Sequence, residues 1–459
     1  MYTRYTYQDW EKTPQTERPE LLRNIVLTYK ASEEFQYALT ASRYFRGENP
    51  EVMKKVILKK GAYKYRDDSG EEKAMIRNEP IVGARVPSNY FFRFVTQQNQ
   101  YLLSNGVVLK GAEKERLGLG FDKVLEQMGE RALVQGVCWG YWNADHLELI
   151  EAARDDLSGF VALVDEENSA PRLGVQFWQI DHNRPLYIRL LEEDGVTVYR
   201  LEDNKMMEHA PKRAHKLHVI RDAAGEQVER EENYGFLPVI PLYANGEHRS
   251  ELTPSIKEKI DAYDRISSDY VDNLDKTNDV FWVLNNFGGS RSELLNMVSD
   301  IRSTGIIANM TDGMGGNATA SPYAFEVPYE ARKTALELLE SELYSDYMAM
   351  NMDEITGGSL TNVAIRTARA NLDLKCDRYE WQHFQFVQQL LMLLNIETEK
   401  IEFKRQTIAN ESEIIADIYT MRSDIDRKTA LLLNPMIASD KVDEIMATLD
   451  KEELEGNDV

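Results

Sequence analysis

Between Tyr329 and Lys400 the chain carries two strongly periodic helical segments, interrupted once by the polar, glycine-containing run from Asn351 to Asn362. In the first, Leu336, Leu339, Leu343, Tyr347 and Met350 recur at spacings of three and four, the period of one helix face. Glu337, Glu342 and Asp346 fall on the opposite side. In the second, Ile365, Ala368, Leu372, Cys376, Tyr379, Phe386, Leu390 and Leu394 keep the same period without a proline or glycine. A straight helix of that length spans roughly 50 Å, more than one ordinary core accommodates. The pattern therefore predicts two long helices that pass between domains, joined by an elbow at Thr356-Gly357-Gly358-Ser359-Leu360-Thr361.

With 459 residues the chain has material for two to four domains. Its formal charge of −23 argues against a broad nucleic-acid grip, because phosphate affinity comes from Lys and Arg displacing counterions. An acidic wall would instead suit a passage through which DNA slides without sticking. The two cysteines, Cys138 and Cys376, lie in apolar settings with no CxxC spacing, which reads as buried thiols in a reducing compartment. The N-terminal run lacks the apolar centre of a signal peptide, and the run Leu390 to Leu394 is far too short to span a bilayer, so synthesis in the cytoplasm and no membrane partner are expected.

Earlier in the chain the spacing predicts helices over Glu20 to Lys60, with a restart at Asn49-Pro50 running through Glu51 to Lys59. It predicts another from Phe91 through Phe94, Val95, Asn99 and Leu102 to a stop at Asn105-Gly106, and one over Phe121 to Gly136. After Gly136 short β-branched runs follow: Val137 to Trp142, Phe160 to Val164, Gly174 to Ile180, Leu186 to Leu191 and Val196 to Leu201, an antiparallel sheet. The charged stretch Lys205 to Asn233 reads as a surface hairpin or loop. Thr253-Pro254 opens a helix striped by Ile256, Ile260, Tyr263, Ile266, Tyr270 and Leu274. Between it and the Tyr329 helix lies a small α+β insert. Its expected parts are strands at Val280 to Leu284, Gly305 to Asn309 and Ala324 to Val327, a capping box Ser290-Arg291-Ser292-Glu293, and a glycine-rich loop from Asp312 to Asn317. Beyond Lys400 short helices, Glu411 to Met421, Arg427 to Leu433 and Ser439 to Glu455, form an all-helical end.

No catalytic signature is present: no GxxxxGK[ST], no GxGxxG leading into a helix, no HExxH and no GxSxG. Gly313-Met314-Gly315-Gly316 lacks the lysine and the following helix of a phosphate cradle. His146 with Glu148, and Asp181 with His182, are candidate ligand pairs without a third ligand at suitable spacing. His383 falls on the apolar stripe of the long helix and reads as a hydrogen-bonded, partly buried histidine. Asp353 and Glu354 are a candidate Mg²⁺ pair, but adjacent helical carboxylates point about 100° apart, which favours a solvated helix end. Arg366 and Arg369 lie just past the elbow, placed either to meet phosphate or to pair with Asp373, four residues beyond Arg369.

Several stretches in order resemble the portal protein of tailed bacteriophages, the ring at one capsid vertex through which DNA is pumped in and released. Tyr44-Phe45-Arg46-Gly47, then Val86-Pro87-Ser88-Asn89-Tyr90-Phe91 and Tyr101-Leu102-Leu103-Ser104-Asn105-Gly106, is similar to the family's opening. Gly235-Phe236-Leu237-Pro238-Val239-Ile240-Pro241-Leu242-Tyr243-Ala244-Asn245, followed by Ile260-Asp261-Ala262-Tyr263-Asp264, resembles the entry into its stem. Gly358-Ser359-Leu360-Thr361-Asn362-Val363-Ala364-Ile365-Arg366 resembles its tunnel-loop exit, and Lys428-Thr429-Ala430-Leu431 with Asn434-Pro435 and Asp443-Glu444 its crown. Thr361-Asn362 stands where members of that family often carry Ser-Gly.

The resemblance implies an α+β, mainly α, portal fold. Residues 1–251 would be the α/β wing, 252–278 and 329–350 the stem helices, and 279–328 the clip. Residues 351–362 would be the tunnel loop, 363–398 the long helix from wing to crown, and 399–459 the helical crown. It implies a tunnel loop lining a DNA channel with Asn351, Thr356, Gly357, Gly358, Ser359, Thr361, Asn362, Arg366 and Arg369, and clip contacts to partners through Arg291, Glu293, Asp300 and Arg302. The implied partners are further copies of the chain in a dodecameric ring, double-stranded DNA, the terminase large subunit, a head-completion adaptor, and the major capsid and scaffolding proteins. No cofactor, metal or enzymatic activity is implied, and the location would be the virion's portal vertex. A metal-dependent nuclease using Asp353, Glu354 and a histidine, or another structural component of a virion or scaffold, are the alternatives.

Overall fold

In a computed structural model the described residues are 3–66, 72–202, 205–221, 227–277, 281–285, 319–323, 329–351, 362–406, 411–421, 425–434, 437, 442 and 445–449. The chain opens with helices α1 (Tyr7–Lys12), α2 (Arg18–Lys30), α3 (Glu33–Phe45) and α4 (Pro50–Met53), then strands β1 (Val56–Arg66) and β2 (Glu72–Val82). Helix α5 (Tyr90–Leu103), β3 (Val107–Lys110) and α6 (Phe121–Gln135) lead into β4 (Val137–Asn143), β5 (His146–Glu151), β6 (Ala153–Asp155), β7 (Ser158–Val164), β8 (Pro171–Trp178), β9 (Leu186–Glu192), β10 (Gly195–Glu202) and β11 (Lys205–Arg213). After β12 (Lys216–Arg221), β13 (Gln227–Glu232) and β14 (Val239–Tyr243) come α7 (Pro254–Thr277), β15 (Phe281–Asn285), β16 (Thr319–Tyr323), α8 (Tyr329–Tyr347), α9 (Asn362–Leu393), β17 (Lys400–Phe403), α10 (Glu411–Thr420) and α11 (Arg427–Leu433). The architecture is mixed α+β, and the chain divides into one unit of residues 1–39, 94–251 and 346–459 and another of 40–93 and 252–345.

In the first unit β6 to β11 form an antiparallel meander in which each strand pairs with the next. Strand β7 is buried on both faces, and its side-chain alternation divides two cores. Val161 and Leu163 join Leu173, Val175, Ile188 and Leu190 beneath α2, where Leu22, Ile25, Val26 and Tyr29 pack. Phe160 and Ala162 face Val137, Trp139 and Tyr141 of a three-stranded sheet ordered β14-β4-β5. Helix α6 ends at Gly136, whose φ of 92° suits glycine, and the chain turns directly into β4.

Helix α9 has 32 residues, about 48 Å at the helical rise. Ile365, Leu372, Cys376, Tyr379, His383, Phe386, Val387, Leu390 and Leu391 are its buried line, as the periodicity predicts. It lies close to α6 and β4 at two glycines: a Cβ on Gly129 would collide with the Tyr379 hydroxyl and Asn99 Oδ1, and one on Gly140 would sit 2.9 Å from Phe386. His383 is wholly buried rather than partly so. Its Nδ1 lies 3.0 Å from the Tyr379 carbonyl and therefore carries the proton, while Nε2 has no hydrogen-bond partner among the described residues.

In the second unit α7 holds an extended segment, residues 83–89, by a line of polar side chains. Ala84 N donates to Asp272 Oδ1 (2.7 Å), Val86 N to Ser268 Oγ (3.1 Å) and Ser88 N to Asp264 Oδ1 (2.8 Å). Four helical residues rise about 6.0 Å and two extended residues about 6.6 Å, so i, i+4, i+8 positions on a helix match alternate amides of a strand. Asp264 also accepts from Asn49 Nδ2, and burial pushes its carboxyl above the ordinary range despite these donors. Lys55 joins Asp272 and Asp269 at 2.5 and 2.7 Å.

Several expectations need correction. Residues 56–59 are not helical: α4 stops at Met53, and β1 pairs with β2 over an unbroken antiparallel register from Val56↔Val82 to Arg66↔Glu72, a partnership that the local run Val56-Ile57-Leu58-Lys59 does not reveal. Lys205–Arg213 is an edge strand of the meander, although Lys216–Arg221 and Gln227–Glu232 do form the expected charged hairpin. Of the expected α7 stripe only Ile256 and Ile260 are fully buried, while Tyr263, which packs on Tyr90 at 5.0 Å, Ile266 and Tyr270 are half-buried. Beyond them the buried positions are Asp264, Ser268 and Asp272, while Leu274 is 45% exposed, because the neighbour to be satisfied is backbone N–H. Lys400–Phe403 is a strand paired with β3. Strand β16 at Thr319–Tyr323 pairs with β15, while Gly305 to Asn309, the 290–293 box, the 312–317 loop and Ala324 to Val327 lie outside the described residues.

Burial holds the His383 imidazole down from an ordinary 6.5 to about 4. The unfolded chain takes up this proton near pH 6.5 and the folded chain only near 4, so the unfolded state binds more protons in that window and stability falls as pH drops through it, by up to about 3 kcal/mol. Urea midpoints between pH 7 and 4.5 should show this fall in the parent and a shallower one in His383→Asn; parallel curves would contradict it.

Candidate functional site at the elbow between the long helices

The chain enters the elbow from α8 and leaves it in α9, and both stubs are fastened to α5. Helix α8 ends at Tyr347, after which Met348 takes a left-handed conformation, φ 61°. Gln97 then reads the backbone of Met350 with both ends of its amide: Nε2 donates to the Met350 carbonyl at 3.0 Å and Oε1 accepts from its N–H at 2.9 Å. Gln98 Oε1 accepts from the buried Tyr347 hydroxyl at 2.9 Å, and the Tyr347 ring stacks on Phe94 at 4.7 Å. Asn99 Oδ1 accepts from the Tyr379 hydroxyl at 2.7 Å, and its Nδ2 donates to the Glu126 carbonyl at 2.9 Å. Successive helical residues point about 100° apart, so this polar run, with Gln98 and Asn99 almost fully buried, addresses α8, α9 and α6 in turn.

Lys375 ties the same point from α9. Its Nζ donates to the Tyr347 carbonyl at 2.9 Å, lies 3.3 Å from the Tyr347 ring centre, and pairs with Glu251 at 2.8 Å. Burial pulls its ammonium below the ordinary lysine value, with Glu251 opposing the shift. On the exit side Tyr101, Met350, Ile365, Leu372 and Cys376 share one small core. Burial pushes the Cys376 thiol up to about 12 and the Cys138 thiol well above its ordinary value, so both stay protonated and unreactive.

Arg369 pairs with Asp373 at 3.2 Å and stands over the Tyr101 ring, whose hydroxyl donates to Asp373 at 2.5 Å. Arg405 binds Asp377 at 2.6 Å and Glu380 at 2.6 Å. Arg366 is exposed and has no ion pair among the described residues. Asn351 and Asn362, the two shoulders of the elbow, are each half-buried. The loop residues Thr356, Gly357, Gly358, Ser359 and Thr361, with Asp353 and Glu354, lie outside the described residues, as do Arg291, Glu293, Asp300 and Arg302.

Of the pairs considered from sequence, His146 and Glu148 do approach each other, whereas His182 turns to Asp156 and not to Asp181. His146 contacts Asp145 at 2.9 Å and Glu148 at 3.4 Å, and His182 contacts Asp156 at 3.4 Å. Among the described residues no three His, Cys, Asp or Glu side chains converge as a metal site, and no helix is long and apolar enough to cross a membrane. Sequence reasoning missed Gln97, Gln98, Lys375 and Glu251. A signal exists for the first two, since the polar run 96–100 interrupts an aromatic-rich helix.

Residues 26–457 match the model of a family described as "Phage portal protein, SPP1 Gp6-like". The chain is 27% identical over 207 residues to the portal protein of Clostridium phage phiCD119, covering 43% of this chain and 45% of that protein. It is 28% identical over 245 residues to the portal protein of Bacillus phage SPP1, covering 49% of this chain and 47% of that protein. These matches thus span about half the length of either relative.

Removing one partner of a buried ion pair strands the other charge. Lys375→Ala should therefore lower stability by about 3 kcal/mol in denaturant titration. The double variant Lys375→Met/Glu251→Gln should recover most of the loss; an equal loss in both would show that the pair carries no electrostatic weight.

Proposed function

The chain belongs to the SPP1 Gp6-like phage portal protein family, and from this we propose that it is the ring subunit that forms the double-stranded DNA channel at one capsid vertex. The family match over residues 26–457 carries this reading. Its role is structural and non-enzymatic. Copies close into a dodecameric ring, the terminase motor supplies the energy of packaging, and an adaptor takes the motor's place afterwards, with capsid and scaffolding proteins around the ring. The protein works at the portal vertex of the virion after assembly in the host cytoplasm.

Within this reading residues 1–251 serve as wing, 252–278 and 329–350 as stem, 279–328 as clip, 351–362 as tunnel loop, 363–398 as long helix and 399–459 as crown. Arg291, Glu293, Asp300 and Arg302 are the clip residues offered to the motor and adaptor. The loop presents Asn351, Thr356, Gly357, Gly358, Ser359, Thr361 and Asn362 to DNA. Short polar side chains and glycine let such a loop follow a groove at little conformational cost. Two features support the assignment. The net charge of −23 disfavours adhesion of DNA to the wall. Met350 and Ile365, next to the loop on either side, are held by α5: Gln97 bonds the Met350 backbone and Tyr101 shares a core with Ile365. Arg366, exposed just past the loop, is the cation best placed to meet phosphate, Arg369 being engaged with Asp373.

Negative-stain images of the purified protein should show rings with a central hole; only compact single particles under capsid-like conditions would overturn the reading. Deleting Gly357 to Thr361 should leave rings intact and strongly reduce DNA filling or retention in capsids. Normal filling would remove the loop from the mechanism.

A further inference from the structure

Among the described residues β12 and β13 form a two-stranded sheet of their own, each strand pairing with the other alone. An isolated hairpin is marginally stable in water, so its position depends on what grips its base. Two side chains do so. Where the chain enters the hairpin, the buried His215 donates its backbone N–H to Asn233 Oδ1 at 2.9 Å. Where it leaves, Asn233 Nδ2 donates to the Asp194 carbonyl, in the turn between β9 and β10, at 2.9 Å. The His215 ring reaches the same turn from inside: Nε2 lies 2.6 Å from the Glu192 carbonyl, and Nδ1 lies 3.2 Å from the hydroxyl of Tyr141 on β4.

A carbonyl only accepts, so Nε2 carries the proton, and the bare Nδ1 accepts from the Tyr141 O–H. The neutral imidazole thus has both nitrogens in use. A second proton, on Nδ1, would displace the Tyr141 hydrogen, and Tyr141 is itself buried. The charged groups around the ring give an imidazolium little support. Arg189 of β9 stands over the Tyr141 ring at 4.8 Å, and Lys216, next in sequence to the histidine, stands over the Tyr234 ring at 4.2 Å. The carboxylates of Glu192 and Asp194 are both engaged by Lys212 of β11. The Tyr234 ring lies 6.1 Å from the imidazole, and burial pushes its hydroxyl up to about 12, so it stays uncharged. Burial pulls the His215 imidazole below the ordinary 6.5; Arg189 and Lys212 act in the same direction, while the Glu192 carbonyl and Asp194 oppose it.

We propose that His215 is a pH-sensitive clasp for the β12–β13 arm: neutral, it fastens the base of the arm to the β9–β10 turn and to β4, and protonated, it lets that base open. With the arm released the ring meets water and takes up its proton near the ordinary 6.5, whereas the clasped ring does so only at lower pH. The open form therefore binds more protons, and its population rises as pH falls below about 6.5. Every residue of the clasp lies in one subunit, so the inference stands apart from the ring reading.

Hydrogen exchange of the full chain, corrected for the intrinsic pH dependence of amide exchange, reads the clasp directly. Protection of the His215 amide and of β12 and β13 should fall about fivefold or more from pH 7.5 to pH 5.0 in the parent, with β7 to β9 unchanged. His215→Gln keeps an amide donor for the Glu192 carbonyl but cannot be protonated there, so its hairpin should lack this fall. His218→Gln, on the arm itself, should retain it. In Arg189→Gln, with one facing cation removed, the midpoint of the fall should move to higher pH. A parent hairpin equally protected at both pH values, or an equal fall in His215→Gln, would overturn the proposal. So would a fall that His218→Gln abolishes, or a midpoint that Arg189→Gln moves to lower pH.

Discussion

A polar group taken out of water must find a partner inside the protein, and the run Gln97-Gln98-Asn99 turns that requirement into architecture. Three consecutive side chains, fanned about 100° apart, hold the Met350 backbone, the Tyr347 hydroxyl and the Tyr379 hydroxyl. An apolar contact would tolerate a helix sliding by part of a turn; paired donors and acceptors do not. The end of α8 and the middle of α9 are therefore set by hydrogen-bond geometry, with Lys375 adding a charged tie between α9 and the last turn of α8. The same logic recurs in the other unit, where Asp264, Ser268 and Asp272 hold three alternate amides of an extended segment.

The proposed channel loop needs fixed shoulders. The described residues on either side of it provide them, because moving Met350 breaks both bonds of Gln97 and moving Ile365 opens the small core it shares with Tyr101, Leu372 and Cys376. The ion pairs just past the elbow serve this rigidity too. Arg369 closes on Asp373 and Arg405 on Asp377 and Glu380, so positive charge that could trap DNA is largely spent within the protein.

Much of the fold was legible where burial and hydrophobicity coincide. The line Ile365 to Leu390 gave the long helix, the β-branched runs after Gly136 gave five strands of the sheets, and Thr253-Pro254 marked the start of α7 to the residue. What escaped has one physical cause: partners distant in sequence override local pattern. Residues 56–59 are compatible with a helix until residues 79–82 are available to pair with them. The lower half of α7 looks amphipathic until the amides of residues 84–88 demand acceptors. Gln97 and Gln98 look solvent-facing because nothing in a window of 18 residues reveals Tyr347 or Met350 some 250 positions away. Of the elbow itself, the shoulders Asn351 and Asn362 and the pairing of Arg369 with Asp373 were within reach of sequence; the clamp from α5 was not.

The clamp is open to direct observation at one amide. In hydrogen-exchange measurements on the assembled protein the Met350 N–H, which lies in no helix or strand and is bonded to Gln97 Oε1, should be strongly protected in the parent and should exchange at least tenfold faster in Gln97→Ala with the α9 amides unchanged. Exchange at Met350 already as fast as in an open loop in the parent would contradict the claim that α5 fixes the elbow.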